Sequence, residues 1–137
     1  MDKEHPAAAA RLRVLVIEDN EINQEILVSM LDALGHAWVI ATDGAQGVER
    51  YREQRFDLIL MDWLMPVMDG LAATRAIRDQ EERADSAAAR TPIIVVSASA
   101  MNNEVEQCLA AGADAHLAKP FRRAQLDATI RQVVVPG

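Results

Sequence analysis

Residues 57–70 have the sequence DLILMDWLMPVMDG. It opens with an apolar run that is typical of a strand buried on both faces of a sheet, and Asp62 follows directly after that run. Pro66 and the Asp69-Gly70 pair then interrupt the backbone, and helical spacing of apolar residues begins at Leu71. A buried strand that ends in an acidic residue and is followed by a loop and a helix predicts one βα unit.

The same βα unit recurs from one end of the chain to the other. Strands are predicted at residues 14–17, 37–41, 56–61, 93–96 and 115–118. Helices are predicted at residues 22–34, 45–54, 71–83, 103–111 and 122–134, with Gly35 and Gly112 at the ends of two of them. Because parallel neighbours need a crossover, strict alternation predicts an α/β fold. We expect a doubly wound, five-stranded parallel sheet of flavodoxin-like order 2-1-3-4-5, a (βα)5 architecture.

The composition is that of one compact domain. The chain has 137 residues, of which 50% are apolar, enough to bury a sizeable core. Residues 1–11 run from polar side chains into plain alanine without periodicity, so we predict a flexible lead-in there and a single domain over residues 12–135. No apolar stretch approaches the roughly 20 residues of a spanning helix, so we expect no membrane contact by this domain.

Charge, cysteine content and missing motifs exclude several classes of protein. The 14 Lys and Arg residues against 21 Asp and Glu residues give a net charge of -7, which disfavours direct binding of nucleic acid or of an anionic membrane. Cys108 is the only cysteine, which removes disulfides and suits the reducing cytoplasm. The motifs GxGxxG, GxxxxGK(S/T) and GxSxG of dinucleotide-binding, nucleotide-binding and hydrolase proteins do not occur.

Four of the five predicted strands are followed by a residue that can act on phosphate or metal. These residues are Glu18 and Asp19 after the first strand, Asp62 after the third, Ser97 after the fourth and Lys119 after the fifth. Any one of them alone is as well explained by a turn or by a helix N-cap. In a doubly wound sheet, however, the carboxyl ends of the strands meet at one edge, where ligands bind. We therefore predict one functional site that contains all five residues.

Three carboxylates at one edge would repel one another unless a cation joined them. Oxygen ligands without Cys or His suit Mg²⁺, and Mn²⁺ could substitute for it. A phosphoryl group on Asp62 would lie between this cation and the ammonium of Lys119, while the hydroxyl of Ser97 donates a hydrogen bond to one of its oxygens. The pattern predicts a phosphoryl-transfer site with Asp62 as the nucleophile, because Asp62 follows the central strand.

Four segments of the chain resemble the receiver family of response regulators in two-component signalling. They are VLVIEDN at residues 14–20, DLILMDWLMPVMDG at 57–70, PIIVVSASAM at 92–101 and AGADAHLAKP at 111–120. They occur in the family's order and at its spacings, and the resemblance extends over residues 13–134, nearly the whole chain. It implies a domain that takes a phosphoryl group from a histidine kinase.

The resemblance also implies a role for each residue of the site. Asp19 would ligate the metal directly, and Glu18 would do so largely through water. The backbone carbonyl of Leu64 would complete the metal shell around Asp62, the phospho-acceptor. Lys119 would contact the phosphoryl oxygens, and the peptide bond that follows it would be cis.

Finer features resemble receivers that are fused to hybrid histidine kinases. These features are Asn20 and Asn23 after the acid pair, the MPVMDG loop, and SASAM followed by CLAAGAD. They imply a histidine kinase core as the donor and a histidine phosphotransfer domain as the next acceptor, both reached through the first helix and the loops around the site. Such a domain would catalyse only its own phosphorylation and slow dephosphorylation, and it would be a monomer or a weak dimer.

His116 and Trp63 depart from the usual pattern of the family. His116 stands where an aromatic side chain usually turns inward as the hydroxyl of Ser97 moves toward the phosphoryl group. It could turn in the same way and add pH sensitivity, or it could be a partly exposed histidine without a role. Trp63 is unusually bulky directly after the acceptor.

Two other functions are weighed against the receiver. A pseudo-receiver, an interaction module that is not phosphorylated, is kept open by His116 and Trp63, although the acceptor, the acids and the lysine are all present. A phosphatase with Asp62 as nucleophile fits poorly, because Leu64 stands where such enzymes place a second acid.

Overall fold

The computed structural model describes residues 11–63, 69–83, 90–98 and 102–134. Strands and helices alternate through these ranges, in the predicted order. The strands are β1 (Arg13–Ile17), β2 (Ala37–Ala41), β3 (Leu58–Asp62), β4 (Ile93–Ser97) and β5 (Ala115–Ala118). The helices are α1 (Glu21–Leu34), α2 (Gly44–Glu53), α3 (Gly70–Arg83), α4 (Asn102–Ala111) and α5 (Arg123–Val133).

All strand pairs are parallel, and the sheet has the order β2-β1-β3-β4-β5. The predicted doubly wound α/β sheet is therefore confirmed. At its centre Leu60 of β3 lies opposite Val16 of β1 on one side and Ile94 of β4 on the other. Because a parallel sheet with helices on both faces is buried on both faces, the interiors of β1, β3 and β4 are apolar, and their polar residues stand at the strand ends.

The strands divide their side chains between two cores, because successive residues point to opposite faces of the sheet. One core lies under α2, α3 and α4 and includes Leu15, Ile17, Ile59, Met61, Ile93, Val95, Ile77 and Cys108. The other lies under α1 and α5 and includes Val14, Val16, Leu58, Leu60, Val96, Leu27, Leu31, Leu126 and Ile130. The two cores hold the sheet between two layers of helices.

β3 begins and ends later than the sequence predicts. The predicted strand covered residues 56–61, whereas the observed strand covers Leu58–Asp62. Just before β3, the Asp57 carboxylate accepts a hydrogen bond from the backbone N–H of Arg13 at 2.9 Å. This bond holds the start of β3 beside the start of β1. At the end of β3, Asp62 still pairs with Val96 of β4. Asp62 is thus the last residue of β3 and not the first residue of a loop.

The helix ends are set by local side chains. The side chain of Asn20 accepts a hydrogen bond from the backbone N–H of Asn23 and caps α1, and Gly35 closes the same helix as predicted with a φ of 86°. Asp43 caps α2 by accepting from the backbone N–H of Gln46, and Gly44, which precedes the predicted helix at residues 45–54, is the first residue of that helix. A side-chain acceptor makes Asp a helix start as readily as a turn.

Some predictions fall on residues outside the described ranges. Apart from Arg11, the lead-in at residues 1–11 is among them, as are Leu64 and Pro66 after β3. The division into lead-in and domain stays a prediction. Among the described residues, every helix is too short or too polar to cross a membrane.

His36 joins the end of α1 to the start of the sheet. Its Nδ1 atom accepts a hydrogen bond from the backbone N–H of Leu12 at 3.1 Å. Burial lowers the pKa of His36 below its ordinary value of 6.5, against the attraction of Asp127. A protonated Nδ1 cannot accept a hydrogen bond, so the contact exists only with the neutral ring.

We expect His36 to make the fold less stable in acid. Its pKa is lower in the folded chain than in the unfolded chain, so its contribution is complete above about pH 6.5 and is lost as the pH falls below that value. His36→Gln keeps an acceptor that does not titrate. Between about pH 7.5 and pH 5, the wild type should lose about 1 kcal/mol more free energy of unfolding than His36→Gln. Urea denaturation measures this difference, and equal losses would contradict it.

Candidate functional site

The carboxylates of Glu18, Asp19 and Asp62 converge at the carboxyl edge of the sheet. One oxygen atom of each lies within 4.8 Å of the others. Glu18 is fully buried, Asp62 is 7% exposed, and Asp19 is exposed. The structure therefore brings together the three acids that the sequence placed at one edge. A set of three carboxylate oxygens has the chemistry of a Mg²⁺ site.

Lys119 follows β5 and points toward two of these acids. Its Nζ atom lies 3.3 Å from Asp62 Oδ1 and 3.5 Å from Glu18 Oε1. Its backbone N–H donates to the carbonyl of Ser97 at 2.7 Å, and the peptide bond that follows it is cis, as predicted. The lysine is thus held between the ends of β4 and β5, with one ammonium facing two buried carboxylates.

Burial raises the pKa of both Asp62 and Glu18. The positive charge of Lys119 is the largest opposing influence on Asp62, and a hydrogen bond at 3.1 Å from the backbone N–H of Asn20 is the largest on Glu18. Asp62 also raises the pKa of Glu18, and Asp19 raises that of Asp62, by like-charge repulsion. Lys119 alone does not balance this negative charge, whereas a divalent cation among the three carboxylates would.

The acid pair is fixed by its own segment and by the neighbouring strand. The backbone N–H of Glu18 donates to the Ala41 carbonyl at 3.0 Å, which continues the β1–β2 ladder by one residue. The Gln24 side chain donates from Nε2 to the Glu18 carbonyl at 2.7 Å. Gln24 was not singled out from the sequence. Its place early in the helix that follows the acid pair is the signal that would have found it.

Gly70 lies against the backbone of the acceptor residue. A Cβ atom at this position would come within 2.6 Å of the Asp62 carbonyl oxygen. The backbone N–H of Gly70 donates to the Trp63 carbonyl at 2.9 Å, and the backbone N–H of Trp63 donates to the Val96 carbonyl at 3.0 Å. The sequence predicted only a turn at Gly70. In the structure, the backbone of Gly70 lies so close to that of Asp62 that the start of α3 packs directly against the acceptor residue. The Leu64 carbonyl lies outside the described residues, and its role as a ligand stays a prediction.

Ser97 and His116 are in direct contact. Ser97 Oγ lies 2.7 Å from His116 Nε2. Ser97 is 5% exposed at the end of β4, and His116 is half-buried on β5. The structure brings the two predicted switch residues together, next to Lys119.

A cleft of about 130 Å³ opens beside the acids. Glu18 and Lys119 lie on its charged side, and Ile26, Leu27, Pro120 and Phe121 contribute its apolar side. On α1, Ile22 is 69% exposed and Ile26 is 47% exposed, which is unusual for isoleucine. An exposed apolar surface therefore borders the charged site.

The family described as Response regulator receiver domain matches residues 14–131. The chain belongs to the response regulator receiver domain family, so it is a receiver of two-component signalling, as predicted. Hybrid signal transduction histidine kinase G of Dictyostelium discoideum is 44% identical over 113 residues, which are 81% of this chain and 3% of that protein. Histidine kinase 5 of Arabidopsis thaliana is 34% identical over an alignment of 141 positions that covers 88% of this chain and 15% of that protein. The chain thus spans a small part of these relatives.

Solved structures agree in fold and in family. A receiver domain of a sensor histidine kinase from Pseudomonas aeruginosa PAO1, with a magnesium ion coordinated in its active site cleft, is 42% identical with a TM-score of 0.80. The match covers 91% of this chain and 98% of that chain. A co-crystal structure from Saccharomyces cerevisiae contains a histidine phosphotransfer signaling protein and the receiver domain of its downstream response regulator. It matches at 30% identity with a TM-score of 0.84, over 90% of this chain and 89% of that chain.

We expect Asp62 to destabilise the metal-free fold. Its folded pKa is raised above the ordinary value of 3.8, so the folded chain holds the proton more tightly, and stability falls as the pH rises above that value. Asp62→Asn should raise the free energy of unfolding by about 1 kcal/mol near pH 7.5 in the presence of EDTA. Asp79→Asn, at a side chain that is 57% exposed, is the control and should change it by less than about 0.5 kcal/mol. Equal effects of the two substitutions in urea denaturation would refute the expectation.

Proposed function

We propose that Asp62 accepts a phosphoryl group from the phosphohistidine of a histidine kinase in a Mg²⁺-dependent reaction. The observation that carries this proposal is the position of Asp62 at the end of the central strand. Its Oδ1 atom lies 3.3 Å from Lys119 Nζ, and its carboxylate lies within 4.8 Å of those of Glu18 and Asp19. A carboxylate nucleophile between an ammonium and a cation site meets the requirements of phosphoryl transfer.

Glu18, Asp19 and Asp62 would hold the Mg²⁺ ion, with the backbone carbonyl of Leu64 as a further ligand, and Mn²⁺ could substitute. When bound, the ion neutralises negative charge on the carboxylates and on the phosphoryl oxygens. Magnesium in the active site cleft of the Pseudomonas aeruginosa receiver, which is 42% identical, supports this assignment. Burial, and then repulsion between the carboxylates, raises the pKa of both Asp62 and Glu18, and a cation at the site would favour their ionised forms.

In the proposed transfer, a carboxylate oxygen of Asp62 attacks the phosphorus atom while the P–N bond to the donor imidazole breaks. The imidazole nitrogen keeps the electron pair of that bond and takes up one proton, and Asp62 becomes an acyl phosphate. The ammonium of Lys119 neutralises charge on the phosphoryl oxygens, and the hydroxyl of Ser97 donates a hydrogen bond to one of them. The domain catalyses only this transfer and the slow hydrolysis of its product.

The apolar surface beside the site is proposed as the docking surface for the donor and for a histidine phosphotransfer domain. A partner that presents a histidine must cover the site closely, and Ile22 and Ile26 of α1, with Phe121 across the cleft, offer apolar area at its rim. The Saccharomyces cerevisiae co-crystal structure, in which a phosphotransfer protein accompanies a receiver domain, supports this partner class. The proposed location is the cytoplasm, on the ground of the single unpaired Cys108.

The phosphorylation proposal is tested by mass spectrometry of the intact protein after incubation with Mg²⁺ and phosphoramidate. The wild type should gain one phosphoryl group of about 80 Da, and EDTA should abolish the gain. Asp62→Asn should gain nothing, whereas Asp69→Asn, at an exposed aspartate of the same connection, should gain it normally. Lys119→Ala should slow the gain about 100-fold. A wild type that folds but gains no mass would favour the pseudo-receiver.

The docking proposal is tested by exchanging the donor. The double substitution Ile22→Ser and Ile26→Ser should leave phosphorylation by phosphoramidate unchanged, because that small molecule needs no docking surface. Transfer from a phosphorylated histidine phosphotransfer domain that is active on the wild type should slow about tenfold. Leu109→Ser is the matched control, since Leu109 is 47% exposed on α4, and it should slow neither reaction. Equal transfer rates in the three proteins would place the docking surface elsewhere.

A further inference from the structure

Asp19 differs from the other two acids of the site in how little packing holds its side chain. Glu18 is fully buried and Asp62 is 7% exposed, whereas Asp19 is exposed. An exposed side chain keeps most of its rotamer freedom, and a ligand group that must be ordered on binding lowers the affinity. The position of the Asp19 carboxylate before an ion binds therefore depends on how firmly the backbone of Asp19 is held.

The first turn of α1 holds that backbone on both sides of Asp19. Before Asp19, the carbonyl of Glu18 accepts a hydrogen bond from Gln24 Nε2 at 2.7 Å. After Asp19, the carbonyl of Asn20 accepts from the backbone N–H of Gln24 at 2.9 Å, and the backbone N–H of Asn20 donates to Glu18 Oε2 at 3.1 Å. Gln24 thus bonds to both neighbours of Asp19, to Glu18 through its side chain and to Asn20 through its backbone.

The hydrogen bond from the Gln24 side chain fixes the orientation of one peptide group. Because a peptide group is planar, a fixed Glu18 carbonyl also fixes the nitrogen and the Cα atom of Asp19. The amide of Gln24 is a neutral donor, so the contact adds no charge beside the carboxylates. Gln24 is half-buried, and α1 packs into the core through Leu27 and Leu31. The backbone of an exposed acid is therefore tied to a helix that the core holds in place.

We propose that Gln24 is a positioning residue for the Mg²⁺ site. It holds the backbone of Asp19 in the conformation that binds the ion, and it raises the affinity for Mg²⁺ without contacting the ion or the phosphoryl group. Mg²⁺ demands nearly ideal octahedral geometry, so a small displacement of one ligand weakens its binding. Groups that orient metal ligands contribute about 10-fold to 100-fold to metal affinity. This inference rests on the proposed function, in which Asp19 ligates Mg²⁺.

The first test is a calorimetric titration with MgCl₂. Gln24→Met keeps the length of the side chain and removes its donor, and the dissociation constant for Mg²⁺ should rise about tenfold. Gln46→Met is the matched control, because the Gln46 side chain accepts from the backbone N–H of Thr42 at 3.0 Å near the start of α2. It removes a similar hydrogen bond and should leave the constant unchanged.

The outcomes of this titration separate the inference from the proposed function. An unchanged dissociation constant in Gln24→Met overturns the inference alone. An equal rise in Gln24→Met and Gln46→Met also overturns it, since the effect would then follow from a general loss of stability. A wild type that folds but binds no Mg²⁺ overturns the proposed cation site as well.

The second test measures the rate of phosphorylation by phosphoramidate as a function of Mg²⁺ concentration. In Gln24→Met, the concentration that gives half of the maximal rate should rise about tenfold. The rate at saturating Mg²⁺ should stay within about twofold of the wild type, because Asp62 and Lys119 keep their contact. A lower maximal rate with an unchanged half-saturating concentration overturns the inference, since Gln24 would then act on the acceptor and not on the ion.

A third measurement needs only the wild type and covers the case in which Gln24→Met does not fold. In EDTA, the side-chain amide protons of Gln24 should exchange with water about tenfold more slowly than those of the exposed Gln107, because the hydrogen bond to Glu18 exists before the ion binds. NMR measures both rates. Equal exchange rates at Gln24 and Gln107 overturn the inference.

Discussion

The ion pair between Lys119 and Asp62 is the interaction on which the functional edge of this domain depends. A parallel sheet brings residues from distant parts of the chain to one edge, but their like charges oppose the arrangement. Lys119 Nζ, 3.3 Å from Asp62 and 3.5 Å from Glu18, supplies the positive charge inside the protein. Two carboxylates face one ammonium, so the edge carries a net negative charge. That charge favours binding of a divalent cation, and the cation in turn favours a phosphoryl group.

The core of the sheet makes this unfavourable edge possible. Burial raises the pKa of both Asp62 and Glu18, so each carboxylate lowers the stability of the metal-free fold at neutral pH. The buried residues of β1 and β4, on either side of β3, offset that cost and keep Asp62 within the hydrogen-bonded ladder. The acceptor is therefore held by a buried and fully paired strand. Conflicts between local stability and the whole fold are expected at functional sites.

The opposite end of the sheet is closed by a structural network. Arg78 of α3 pairs with Asp114 at 2.8 Å, and it donates to the carbonyls of Thr91 and Gly112. The side chain of Arg78 is only 13% exposed, and it also pairs with Glu81 at 2.7 Å. One end of β4 and β5 is thus anchored by neutralised charges. At the other end, the three carboxylates of the site outnumber the single ammonium of Lys119.

The sequence by itself determined the fold class, the strand order and the residues at the carboxyl edge. The fold class and the edge residues follow from local periodicity and from positions at strand ends, and the strand order is a common one for a doubly wound sheet of five βα units. Only the tertiary structure decided that Asp62 stays in the ladder, that Gly70 lies against its carbonyl, and that His116 contacts Ser97. Each of these depends on the register between strands and on side-chain direction. Strand register and side-chain direction are set by packing across the sheet, and neither can be read from local sequence.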